Sequence, residues 1–199
     1  MTPLRAIRYA AWAAVAAALA IFGSVAWLQY AGDGRITAAS IGGPFSLTDQ
    51  HGATVTEAAL KGHPTALFFG YTFCPDVCPT TLFEMTGWLN QLGPEADKLK
   101  VYFVTVDPER DTQEALASYL SAFDPRITGL TGSPEAIEKM IKAYRIYARK
   151  VPLDGGGYVM DHTASVYLLD SDAVFTGTID YQEAPDTALA KLKRLIESS

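Results

Sequence analysis

Cysteine is scarce in this chain. There are two in 199 residues, Cys74 and Cys78, and none precedes them. The N-terminal stretch therefore offers no thiol for lipid attachment. Charge is thin as well: 19% of residues are charged, with 22 acidic against 16 basic. No basic run or stripe is present, so nothing points to nucleic acid. No internal repeat appears, and no low-complexity tract beyond one Ala-rich stretch. Charge is missing altogether between Tyr9 and Gly32, a run about as long as a bilayer span. Arg5 and Arg8 precede it, and Trp27 and Tyr30 stand near its far end, where interfacial aromatics are expected. The positive-inside rule then places the rest of the chain on the non-cytoplasmic side. A cleaved signal peptide is the competing reading, since Ser24-Val25-Ala26 is small-x-small. The apolar run is longer than a usual signal core, which favours a retained transmembrane helix.

With Arg5 and Arg8 set aside, 14 basic residues remain against all 22 acidic ones, a balance of −8. An acidic surface suits a basic or cationic partner, although such surfaces are common. Residues 1–32 are read as an anchor, 33–40 as a tether and 41–199 as one domain. That domain is large enough for a proper core.

The two cysteines sit where an apolar run meets a helical pattern. Thr65 to Tyr71 is short, aromatic and uncharged, so it reads as a buried strand. From Pro79, apolar Leu82, Met85, Leu89 and Leu92 recur at spacings of three and four, and Gly93-Pro94 closes the run. A strand-to-helix turn at the carboxyl end of a strand is where open α/β sheets build sites. Cys78 is expected at the N-cap or just before it, where free N–H groups and the helix dipole favour thiolate.

The spacing is Cys-x-x-x-Cys, not Cys-x-x-Cys. Helical residues four apart hold their Cβ atoms about 5–6 Å apart, whereas a disulfide wants about 3.5–4.5 Å. Pro79 biases Cys78 away from helical angles, so the pair can still close a bond. It suits a metal held between two sulfurs at least as well. A purely structural disulfide is the bland alternative, but so small a loop gains little from closure.

Of three histidines, His51 falls in a hairpin turn and His63 in a Gly-His-Pro loop. Both read as solvated loop residues. His162 follows a glycine-rich loop, stands beside Asp161 and is expected at the start of a strand.

Three blocks, Phe69-Gly70-Tyr71-Thr72-Phe73-Cys74-Pro75-Asp76-Val77-Cys78-Pro79-Thr80, Thr105-Val106-Asp107-Pro108-Glu109-Arg110-Asp111-Thr112 and Asp161-His162-Thr163, resemble the signatures of the Sco/SenC family of membrane-anchored copper chaperones. The resemblance runs from about Ile41 to the end. It implies a thioredoxin-like fold and a copper site made by Cys74, Cys78 and His162, with the two cysteines also redox-active. Two thiolates and an imidazole suit Cu(I), and Cu(II) with a further weak ligand; zinc normally wants a fourth donor. Asp161 and Asp107 are candidates for orienting His162 or meeting a partner, with turn-forming roles as the alternative. Met160 is a conceivable thioether ligand, and Tyr71 and Phe73 wall the site. The resemblance also implies assembly of the dinuclear copper centre of cytochrome c oxidase subunit II, by copper delivery, by reduction of its cysteines, or both. It further implies thiol reductants and copper donors in the periplasm, and a single-pass location in a bacterial inner membrane.

The remaining pattern is a small hairpin at residues 45–55, strands at 100–106 and 127–130, and helices opening at an Asp111–Glu114 capping box and at Ser133-Pro134. Then come a short strand at 147–151, a mobile loop over 152–158, a hairpin of 163–169 with 174–180, and a terminal helix from Ala184. This order gives an α/β fold with a mixed sheet and flanking helices. A thiol–disulfide oxidoreductase or peroxidase is the alternative function. Against it stand the Cys-x-x-x-Cys spacing and the lack of proline at Asp161-His162-Thr163.

Overall fold

The computed structural model describes residues 41–199, together with Tyr9, Trp12, Ala13 and residues 15–24. The chain divides into two units, Met1–Thr37 and Ala38–Ser199. In the first, the described residues are helical and their side chains exposed. Arg5, Arg8, Trp27, Tyr30 and the tether at 33–40 lie outside the described residues. Among the described residues no helix is long and apolar enough to cross a membrane.

The second unit is organised around β3 (Thr65–Gly70), in which every residue is buried. A strand buried on both faces needs a continuous apolar run, which Ala66-Leu67-Phe68-Phe69 supplies. It pairs in parallel with β4 (Lys100–Thr105) and antiparallel with β8 (Val166–Leu169). β5 (Ile127–Thr131) continues the parallel half, and the hairpin β1 (Ser46–Asp49) and β2 (Thr54–Thr56) closes that edge. β9 (Phe175–Ile179) closes the other, giving the order β2-β1-β5-β4-β3-β8-β9. Helices α1 (Val77–Leu92), α2 (Gln113–Leu120), α3 (Pro134–Ala143) and α4 (Pro185–Glu197) flank this mixed sheet. α1 lies against α4, α2 against β5 and α3 against β1.

A second sheet of two strands, β6 (Ala148–Pro152) and β7 (Tyr158–His162), stands apart from the first. Gly155, Gly156 and Gly157 turn its tip with φ of 95°, 100° and 80°, a region side chains disfavour. His162 therefore ends β7, where the sequence suggests the start of the following strand. No glycine or proline between Thr163 and Val166 marks the break between the two strands.

Two helix starts also differ from expectation. α1 begins at Val77, so Cys78 lies in its first turn rather than at the cap. Pro79 is tolerated there because first-turn N–H groups lack helical partners anyway. At α2 the cap is Thr112, whose hydroxyl accepts from Ala115 N. Asp111, the cap expected from the sequence, points inward and is fully buried.

Candidate metal centre

The site stands at the carboxyl ends of β3 and β4. Beyond β3 the chain turns tightly, with Cys74 N–H donating to Tyr71 O at 3.2 Å. The first turn of α1 then brings Cys78 back beneath Cys74. The free Cys78 N–H donates to Cys74 Sγ at 3.3 Å, so a sulfur occupies the place of a helix-capping oxygen. Both thiols are unpaired; Cys74 is half-buried and Cys78 buried. Space under them is limited. A Cβ on Gly70 would lie 2.8 Å from Cys78 Sγ and 2.7 Å from Phe103 Cε2, so glycine is what lets the sulfur sit against β3.

β7 supplies His162 from the opposite side, with Nε2 3.5 Å from Cys78 Sγ. Its Nδ1 lies 2.9 Å from Thr163 O. A carbonyl only accepts, so Nδ1 carries the hydrogen, and in the neutral ring the Nε2 lone pair faces the sulfurs. Tyr71 meets the His162 ring edge to face, 5.7 Å between centroids at 89°. The ligand atoms of Cys74, Cys78 and His162 all lie within 4.8 Å of one another. Donors about 2.0–2.3 Å from one ion must stand about 3.5–4.5 Å apart, so this set fits a single soft metal such as copper.

The two thiols divide their acidity. Hydrogen bonding from the Cys78 thiol, aided by the Cys78 N–H, brings Cys74 down to about 3 against its partial burial. Cys78 moves up, because its proton is held by Cys74 and because it is buried. The pair thus offers one ready thiolate on the accessible side. An open cleft of about 520 Å³ adjoins it, lined by Cys74, Val77, Val151, Val159, Met160 and Ala164 among others. Met160 shares the His162 face of β7, since side chains two apart on a strand point the same way.

Neither aspartate orients His162; the Thr163 carbonyl does so. Asp161 is exposed on the edge of the cleft. Asp107 is 1% exposed and binds Arg110 and the Tyr158 hydroxyl. Phe73 is 58% exposed, stacked against Arg110, while Tyr71 is buried. His51 and His63 are exposed in their loops, outside the ligand group. Two residues matter here, Arg110, which sequence reasoning passed over, and Asp111, which it read as a helix cap. Arg110 stacks on Tyr71, Phe73 and Tyr158, and Asp111 anchors the cysteine loop. The one sequence signal was their place in the Thr105–Thr112 block.

The SCO1/SenC family profile matches residues 33–197. Protein SCO2, mitochondrial, of Saccharomyces cerevisiae is 36% identical over 164 residues, 80% of this chain and 54% of that protein. The chain spans about half the length of the curated relatives it matches. Among solved structures, Bradyrhizobium japonicum ScoI with copper bound is 54% identical with a TM-score of 0.73, covering 78% of this chain and 99% of that one. BsSco, described with a disulfide switch and as a member of the Sco family of cytochrome c oxidase assembly proteins, is 25% identical with a TM-score of 0.64, covering 81% of this chain and 96% of that one. The fold is the thioredoxin-like α/β arrangement, a mixed sheet with flanking helices. From the match over residues 33–197 and the relatives that share it, the chain belongs to the SCO1/SenC family.

Proposed function

We propose that this chain is a membrane-anchored copper-binding protein that serves assembly of the dinuclear copper centre of cytochrome c oxidase subunit II. The observation that carries the reading is the meeting of two thiols and one imidazole at the edge of an open cleft. Copper in the solved structure of ScoI and the oxidase-assembly role stated for BsSco's family support it. Copper is cargo here. Cys74 supplies a thiolate at the accessible edge, Cys78 a second sulfur beneath it, and His162 a nitrogen from a separate hairpin. A partner entering the cleft meets Cys74 first, so ligand exchange starts there.

Replacing His162 with alanine tests the assignment. Cu(I) is content with two thiolates and is expected to stay bound, more weakly. Cu(II) prefers imidazole and more ligands, and is expected to be lost or to change its absorption and EPR spectra. Unchanged Cu(II) spectra would remove His162 from the site.

Reduction of the target's cysteines is a second role for the same dithiol, favoured by the low-lying Cys74 thiolate. In that step Cys74 sulfur attacks the target disulfide, and Cys78 sulfur then displaces the target thiolate. Two electrons pass to the target and a Cys74–Cys78 disulfide remains.

Anchoring by residues 1–32, with residues 41–199 in the periplasm, is part of the proposal. Its support is the uncharged run from Tyr9 to Gly32 behind two arginines and the outward apolar side chains of Leu19, Ile21 and Phe22. The protein is expected to stay with membranes through carbonate extraction. Recovery in the soluble fraction with a new N-terminus at Trp27 would show a cleaved signal instead.

A further inference from the structure

His162 is the one member of the ligand group that does not come from the cysteine loop or α1. It is carried by β6–β7, a two-stranded sheet with no strand pairing to the main sheet. An isolated hairpin is marginally stable in water, so something must dock this one. The docking centres on Tyr158, the first residue of β7. Its hydroxyl donates to Asp107 Oδ1 at 2.8 Å, and its carbonyl accepts from Arg110 Nη1 at 3.1 Å. The Arg110 guanidinium lies 3.8 Å from the centroid of its ring. The same guanidinium stands 4.7 Å from the Phe73 ring, next to Cys74, and 5.6 Å from the ring of Tyr71, which touches His162. Arg110 Nε pairs with buried Asp107, which fixes the guanidinium on the body of the domain. A salt bridge of 2.6 Å between Lys150 and Glu109 adds an exposed contact between the same segments, of the kind worth little.

We infer that Arg110 is a positioning residue for His162, a latch that ties the β6–β7 hairpin to the cysteine loop. One planar cation joins the three parts that must meet: the Asp107 loop, the Phe73 side of the dithiol, and the root of the strand that carries the imidazole. A planar fork with several donors does this while stacked between rings, and an ammonium does not. Releasing the latch lets the hairpin swing out, taking the imidazole with it and leaving the dithiol in place. The consequence for copper rests on the function proposed above, whereas the latch itself rests only on the geometry.

The test uses the full chain in detergent, reduced and metal-free, compared with Arg110→Ala, Arg110→Lys and Tyr158→Ala. Hydrogen exchange is followed in residues 148–162, with β3 and β4 as the internal control. In Arg110→Ala the hairpin amides are expected to exchange about tenfold faster while β3 and β4 keep their protection, the loss of a half-buried cation–aromatic contact and of the hydrogen bond to Tyr158 O. With copper added, Cu(II) affinity is expected to fall about tenfold and its spectrum to move toward that of His162→Ala, with Cu(I) affinity changing less than about threefold. Arg110→Lys is expected to behave like Arg110→Ala. Unchanged hairpin exchange in Arg110→Ala would overturn the latch, as would faster exchange with the wild-type Cu(II) spectrum. Should Arg110→Ala lose protection in β3 and β4 as well, Tyr158→Ala, which removes the ring from the hairpin side, decides the matter by the same readouts. A wild-type protein that takes up no copper would overturn the proposed function, and the exchange data alone would then decide the latch.

Discussion

Replacing either Cys74 or Cys78 with serine is expected to abolish stoichiometric copper binding, taking the reduced chain from one copper to essentially none. The geometry makes the two sulfurs interdependent. Cys74 is held as the thiolate by the Cys78 thiol and by the Cys78 N–H, at 3.3 Å from its sulfur. Serine at 78 keeps the N–H but substitutes a hard hydroxyl for a soft donor in a buried place. Serine at 74 removes the one donor that is both accessible and readily ionised. Loss of a direct ligand should exceed the 10–100-fold that losing a contact behind a ligand costs, so affinity is expected to fall by more than about 100-fold. Oxidation provides the same test without mutation. In a disulfide neither sulfur is a thiolate, and His162 alone remains as a strong donor. Copper per chain after equilibrium dialysis should therefore be near one for the reduced protein and near zero for the oxidised protein. Equal binding by the two forms would sink the shared-site idea.

The cysteine turn was legible because its signals are local: an aromatic strand, a helical repeat from Leu82, and two thiols between them. The observed β3 and α1 differ from that reading by only a residue or two. His162 was legible as a residue but not as a position. Strand breaks without glycine or proline leave no mark, so the chain from Thr163 to Leu169 looked like one strand, while the real β7 ends at His162. The partner that orients its ring is a backbone carbonyl, and backbone carbonyls have no sequence signature. The Arg110 cluster was hidden for another reason. Its rings come from positions 71, 73 and 158, and only the folded chain brings them to one guanidinium. Asp111 was misread through a true local rule. Asp111 to Glu114 satisfies the capping-box pattern, but Thr112 can cap the same helix, which frees Asp111 for a tertiary network that no short window contains.

That network gives the second large effect, expected for Asp111→Ala. The Asp111 carboxylate is fully buried and accepts from Thr72 N at 3.0 Å, Thr72 Oγ1 at 2.7 Å and Thr105 Oγ1 at 2.7 Å. It thereby ties the first residue of the cysteine loop to the end of β4. Alanine leaves one half-buried N–H and two hydroxyl protons without their acceptor, a loss of about 2–4 kcal/mol. For a domain of this size that lowers the melting temperature by roughly 4–16 °C. Asp111→Asn is expected to lose less. Its Oδ1 can still accept from Thr72, and its amide can donate to Thr105 Oγ1, which already accepts from Asp107 N at 2.9 Å. The pH dependence separates the two variants further. Burial raises the Asp111 pKa above its ordinary value of 3.8 despite the three donors, so the folded chain binds this proton more tightly than the unfolded one. The proton-linked part of Asp111's contribution to stability is then full below the unfolded value and is lost as pH rises through the folded pKa, while the hydrogen bonds that the carboxylate accepts remain. Chemical denaturation of the reduced, metal-free protein across the acid range should show this falling component in wild type. The component should be absent in Asp111→Asn and Asp111→Ala, which have no proton to bind. An Asp111→Asn protein with the same pH slope as wild type would show that this carboxyl is not the group responsible, and an Asp111→Ala protein as stable as wild type would show that the cysteine loop does not hang on it.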